Sequence, residues 1–299
     1  MASMTILPVI APFNYKGGVG KTLTGRVLGQ TLAEMPEFNR GKPVLFIDMD
    51  PQGNTSKRWR ALRPYPDGTM LPIDHPALAD EEDQTSSVCD VWRELLTNTS
   101  NCMPEPYETS HPLIHVVPAH EVLMAKAMRL DEVTAVKLGT NLCRWLRSPE
   151  MAEKYCCAII DTQPSKTNLV DAALRVATHA YIPFVPEPQS VEGVYSMISY
   201  LVQKRDLRGT DVPLEFLGLL PNQVRKTSLH SSQMRALQNN KEFIKHLLPV
   251  KLTQRTAYAE TDDYRTRPET VTIAKGSNIE VEAKRFVKLI VDRLTKGGY

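Results

Sequence analysis

The chain has 299 residues, 36 Lys and Arg against 34 Asp and Glu, and is 42% hydrophobic and 23% charged. That balance describes an ordinary globular protein with room for a large core, and no run approaches the ~20 apolar residues of a membrane span. The five cysteines, Cys89, Cys102, Cys143, Cys156 and Cys157, are odd in number and form no C-x-x-C pair. They exclude a disulfide framework and point to a reducing compartment.

Met1 to Val9 has no basic residue and reads as the approach to a strand over Ile6 to Phe13, not as a secretory signal. A glycine loop follows, then a helical pattern from Thr22 to Met35. Val44 to Ile47 is a short apolar run ending in Asp48-Met49-Asp50. Ala61 to His111, rich in proline and acid, breaks the rhythm and is expected to be a loop-rich insertion with one helix, Ser87 to Leu96. Strand patterns resume at Leu113 to Val117 and at Ala158 to Ile160, the latter ending at Asp161. Helix Asn168 to Ala177, strand Tyr181 to Val185, helix Ser190 to Gln203 and strand Phe216 to Leu220 come next, the last running into Pro221-Asn222-Gln223. Helical patterns at Ser232 to Leu248 and Glu280 to Leu294 complete the chain. Short, continuously apolar strands alternating with helices predict one α/β domain over 1–299, a doubly wound, mostly parallel sheet flanked by helices. Such sheets bind ligands at the carboxyl ends of their strands, where the polar residues gather here.

The strongest chemical signal is Lys16-Gly17-Gly18-Val19-Gly20-Lys21-Thr22, placed between a strand and a helix. Glycines let the backbone curl until its N–H groups face phosphate oxygens. The start of the helix adds a positive partial charge. Lys21 has the reach for the β- and γ-phosphates of ATP, and the Thr22 hydroxyl is suited to Mg²⁺. The nucleotide-binding stretch is therefore Lys16, Gly17, Gly18, Val19, Gly20, Lys21, Thr22 and Leu23.

The second lysine, Lys16, makes this loop resemble the deviant Walker A of the ParA/MinD family of P-loop ATPases. The resemblance extends through Phe46-Ile47-Asp48-Met49-Asp50-Pro51-Gln52-Gly53-Asn54 and through Ile159-Ile160-Asp161-Thr162-Gln163-Pro164-Ser165. The latter carries Gln163 where the family usually has proline. The resemblance implies that Lys16 reaches the nucleotide of a second copy in an ATP-bound homodimer. It also implies that Asp50 serves hydrolysis beside the attacking water, and that Asp161 holds Mg²⁺ directly or through water. Asn222 corresponds to the asparagine that reads adenine in the MinD branch. Lys16, Lys21 and Asp50 are thus the catalytic candidates.

Residues 201–299 hold 18 Lys and Arg against 11 Asp and Glu, a net +7 that leaves −5 for the rest. A basic third is an electrostatic pointer to a polyanion. With the resemblance, it implies sequence-independent DNA binding by the ATP dimer, with Lys204, Arg205, Arg208, Arg225, Lys226, Arg265 and Arg267 as candidates. Fifteen residues precede Lys16, so the operator-binding helix-turn-helix of some plasmid ParA proteins is not expected. The implied cell biology is a cytoplasmic, nucleoid-associated partition ATPase without a membrane partner, turned over by a ParB-type centromere-binding protein. The alternative is a MinD-like or cargo-positioning ATPase.

Overall fold

A computed structural model describes residues 6–207, 212–255, 258 and 278–296. The chain begins β1 (Val9–Pro12), α1 (Lys21–Ala33), α2 (Pro36–Asn39), β2 (Val44–Met49) and α3 (Asn54–Arg58). A hairpin of β3 (Leu62–Pro64) and β4 (Met70–Pro72) leads to α4 (Arg93–Leu96), β5 (Tyr107–Glu108) and β6 (Ile114–Val117). Next come α5 (Glu121–Ala127), α6 (Glu132–Leu146), α7 (Pro149–Lys154), β7 (Cys157–Thr162), α8 (Asn168–Val176) and β8 (His179–Phe184). The remaining elements are α9 (Pro188–Leu207), β9 (Glu215–Pro221), α10 (Ser228–Asn239) and α11 (Asn278–Lys296).

The main sheet runs β5-β6-β2-β7-β1-β8-β9, and every pairing is parallel except β5 on β6. Its central strands are buried on both faces, which explains their unbroken apolar runs. Alternation sorts the side chains. Val44 and Phe46 of β2 join Val27, Leu28 and Leu32 of α1 and Phe286 and Ile290 of α11 on one face. Leu45 and Ile47 join Leu138 and Leu142 of α6 and Leu169 and Val176 of α8 on the other. Helix and sheet approach closely at Gly29, where a Cβ would stand 2.3 Å from Phe46 Cζ and 2.7 Å from Ile159 Cδ1.

Three segments differ from the sequence expectation. The helix expected over Ser87 to Leu96 is a 3₁₀ turn, Val88–Trp92, followed by α4; Ser87 and Asp90 close a capping box at its start. This stretch puts Val88, Cys89, Val91 and Trp92 into the core, with Trp92 Nε1 donating to Leu138 O at 3.0 Å. The helix expected over Ser232 to Leu248 starts at Ser228 and stops at Asn239. There Asn240 turns extended and its Oδ1 accepts from the N–H groups of Glu242 and Phe243, a local bond that competes with the helix. Finally, α5 to α7 escape the sequence reading. In α6, Val133 and Val136 face outward at 81% and 52% exposure, which blurs the apolar period.

Candidate functional site

From β1 the chain crosses past β7 to reach β2, while β8 and β9 lie on the other side of β1. The crevice at the carboxyl end of β1 is thus the switch point of the sheet. The loop from Asn14 to Gly20 fills it. Asn14, 5% exposed, donates through Nδ2 to Pro183 O at 2.9 Å and accepts through Oδ1 from the N–H of Lys16 at 2.9 Å. Gly18 and Gly20 take φ of 73° and 86°, the left-handed region that other residues enter at a cost. Gly20 meets a second constraint, since a Cβ there would stand 2.2 Å from Asn222 Nδ2. The loop ends at the first turn of α1, where Thr24 N–H donates to Gly20 O at 2.9 Å.

Lys21 is only 6% exposed, and its Nζ donates to Lys16 O at 3.4 Å across the loop. Burial lowers its pKa, while the charges of Asp161 and Asp50 pull it back up. The β2–β7 register sets Asp48 beside Asp161 at the strand ends, and Asp50 lies just beyond. These carboxylates divide the work. Asp48, fully buried, accepts from Ser56 N at 2.8 Å and Ser56 Oγ at 2.6 Å, so it fastens the β2–α3 turn. Asp50 accepts from Gln52 N at 2.9 Å; burial raises its pKa against the pull of that N–H and of Lys21 and Lys57. Asp161 accepts from Thr55 Oγ1 at 2.8 Å through Oδ2. Burial raises its pKa too, opposed by the hydroxyls of Thr55 and Thr22.

Asp161 Oδ1 is buried without a hydrogen-bond partner. An orphaned carboxylate oxygen beside the Thr22 hydroxyl fits a hard cation such as Mg²⁺. Among the described residues no group of three or more His, Cys, Asp or Glu could hold a metal alone. A cation here would therefore complete its shell from phosphate oxygens and water, as Mg²⁺ does in nucleotide sites.

The structure thus brings Lys16, Lys21, Thr22, Asp50 and Asp161 to one place. Asn222 comes to the same loop in an unexpected role. It is 1% exposed, and its Nδ2 donates to Val19 O at 2.8 Å, while Gln223 Nε2 donates to Gly18 O at 2.8 Å. The end of β9 holds the glycine loop from outside. Sequence reasoning also passed over Thr55, Ser56 and Asn14, whose roles depend on contacts with distant segments. The basic candidates are dispersed: Lys204 pairs with Asp171 at 2.6 Å, exposed Arg205 with Asp206 at 3.1 Å, and Arg225 bonds Gln254 beside exposed Lys226. Arg208, Arg265 and Arg267 lie outside the described residues.

A glycine loop between β1 and α1, a buried lysine, and a strand-end aspartate facing the first helical hydroxyl define a P-loop nucleotide hydrolase. A family model described as an AAA domain matches residues 7–210. The chain belongs to the ParA/MinD family of deviant Walker A P-loop ATPases. It is 29% identical over 211 residues to the sporulation initiation inhibitor protein Soj of Bacillus subtilis, covering 69% of this chain and 70% of that one. It is 28% identical over 232 residues to the chromosome-partitioning ATPase Soj of Thermus thermophilus, 76% of this chain and 74% of that one. Among solved structures, Cyanothece McdA in complex with ATP superposes with a TM-score of 0.69 at 16% identity, over 96% of this chain and 97% of that one. A plasmid partition protein from Borrelia burgdorferi gives 0.63 at 16% identity, over 97% and 100%. At such identities the structural likeness is one of fold.

Proposed function

We propose that this ATPase is a DNA partition protein: ATP closes two copies into a homodimer that binds DNA without sequence preference, and a ParB-type partner stimulates turnover. Lys21 and the backbone from Gly17 to Leu23 hold the phosphates. Thr22 and Asp161 would hold Mg²⁺, which would supply neutralising charge to the phosphates. Asp50 orients the attacking water, and its burial beside Lys21 keeps that water's surroundings fixed. The observation that carries the reading is the second loop lysine. Lys21 is buried and reaches across its own loop, which suits it to the phosphates of its own site; Lys16, whose N–H is held by Asn14 at the rim, is the lysine we assign to a second site, as an arginine finger supplied in trans would be. The name of the Thermus thermophilus relative, a chromosome-partitioning ATPase, supports partition as the task. A partition ATPase of this kind would work in the cytoplasm, on the nucleoid.

Light scattering with ATP and Mg²⁺ tests the cycle. Asp50→Ala should persist as a dimer with little turnover, and Lys16→Ala should bind ATP yet stay monomeric. DNA retardation with ATP, ADP and no nucleotide, on two unrelated sequences over a salt series, tests the cargo. The ATP dimer should bind both sequences alike and weaken steeply with salt, by a log–log slope of about −0.9 per phosphate neutralised. Equal binding in all three nucleotide states would overturn the DNA reading.

A further inference from the structure

Tyr15 stands immediately before Lys16, at the position where an ordinary Walker A begins with glycine. Its ring packs against α9 instead of solvent. It meets Phe13 edge-on at 5.0 Å and Tyr200 edge-on at 5.0 Å, and Phe13 and Tyr200 stack at 5.9 Å. The ammonium of Lys166, just past the β7 end, lies 4.9 Å from the centre of the Tyr15 ring and 5.3 Å from that of Tyr200. The Tyr15 N–H donates to Met197 Sδ at 3.4 Å. On α9, Tyr200 donates to Asp171, and Lys204 both pairs with Asp171 at 2.6 Å and covers the Tyr200 ring at 5.0 Å. Burial pushes both tyrosine hydroxyls upward in pKa, so the lysines meet neutral rings.

None of these rings has phosphate chemistry of its own. What they fix is the residue next door. Lys16 has its N–H tied to Asn14 Oδ1. With Tyr15 wedged among Phe13, Tyr200 and Lys166, the backbone entering Lys16 is held by that bond and by the ring cluster together. Edge-on aromatic pairs and cation–ring contacts are directional, so the cluster sets an orientation as well as a position.

We infer that Tyr15 is a positioning residue for Lys16: its ring cluster with Tyr200 and Lys166 aims Lys16 at the nucleotide of a second copy and ties that aim to α9. The inference rests on the role in trans proposed above. It adds a mechanical link. Helix α9 also bears Arg205, one of the DNA candidates, so a shift of α9 on DNA or partner contact would be felt at Lys16. Misplacing a reacting group by ~1 Å is enough to cost on the order of 10²-fold in rate.

Four variants test it: Lys16→Ala, Tyr15→Gln, Tyr15→Phe and Lys166→Gln. Each is measured for ATP affinity by titration, for melting temperature, and for dimer dissociation with ATP and Mg²⁺ by sedimentation. Tyr15→Gln should keep its ATP affinity while its dimer weakens by roughly tenfold, the combined worth of the lost ring contacts. Tyr15→Phe keeps the rings and should restore the native dimer, which a merely polar or structural role for the hydroxyl would not allow. Lys166→Gln alters an exposed side chain and should weaken the dimer in the same direction, by less. A Lys16→Ala protein that dimerises normally removes the role in trans and the positioning with it. If Lys16→Ala stays monomeric while Tyr15→Gln and Lys166→Gln dimerise at native strength, the positioning role alone falls. Should Tyr15→Gln not fold, Lys166→Gln decides: a weakened dimer upholds the positioning role and a native one overturns it.

Discussion

Asn222→Ala separates two jobs that one amide could do. The resemblance makes Asn222 an adenine reader, whereas in this structure it is a tether on the phosphate loop. The substitution removes a 2.8 Å bond to Val19 O from a residue only 1% exposed. It also opens space where a Gly20 Cβ would have stood 2.2 Å from the amide. A buried carbonyl left without its donor costs about 1–3 kcal/mol. The cost reaches the ligand when the released loop takes other conformations, because binding must then draw it back. Apparent affinity should fall by about 5- to 150-fold, at roughly tenfold per 1.4 kcal/mol. Calorimetric titration with ATP, GTP and tripolyphosphate reads the difference. A tether predicts parallel losses for all three. If tripolyphosphate binds the variant as well as the native chain while ATP alone is lost, the tether account is wrong and adenine reading takes its place.

Three further outcomes follow from the packing. Gly29→Ala should destabilise the fold by about 1–3 kcal/mol despite its better helix propensity, because the methyl collides with Phe46 and Ile159; a rise in melting temperature would contradict this. Thr55→Val strips Asp161 Oδ2 of its donor and should weaken the dependence of ATP affinity on Mg²⁺ concentration, measured by titrating the metal; an unchanged metal requirement would count against Thr55 as the aligning group. His179, fully buried on β8 with Thr178 Oγ1 2.7 Å from its Nδ1, has its pKa pushed down by burial from 6.5 to about 4. The unfolded chain therefore takes up the proton first, and stability falls as pH drops from about 6.5 towards 4, by up to about 1.4 kcal/mol per unit. His179→Gln should flatten that part of the denaturation profile, and equal slopes for both proteins would refute it.

The parallel sheet was legible because its strands are buried on both sides and so read as uninterrupted apolar runs, each ending in a conspicuous polar residue. The places of Lys21 and Thr22 at the start of α1 were legible because a phosphate loop prescribes residue types at fixed spacing, and that of Asp161 at a strand end came with the family resemblance. What escaped depends on partners remote in sequence. Nothing local says that Asn222 will reach back to Val19, that Thr55 will orient Asp161, or that Ser56 Oγ will accept from the N–H of Ala119. Trp92 fell within a loop-rich insertion because proline and acid surround it, yet a buried capping box on Ser87 turns it into the core.

The edges of the sheet bear on how two copies can meet. On one side β5, only two residues long, lies antiparallel on β6 and ends the ladder almost at once. On the other, β9 is flanked by isolated bridges from Leu219 to Leu247 and from Val224 to Thr253, so its outer rim is partly taken. Very short or covered rims discourage a foreign strand from adding itself to a sheet. A copy arriving from solution is thereby turned away from continuous sheet extension, a route that needs no fuel and is hard to undo. The nucleotide-dependent dimer proposed above would instead form at the loop-bearing end of the molecule, where union can be made conditional on the nucleotide and dissolved when the nucleotide is spent.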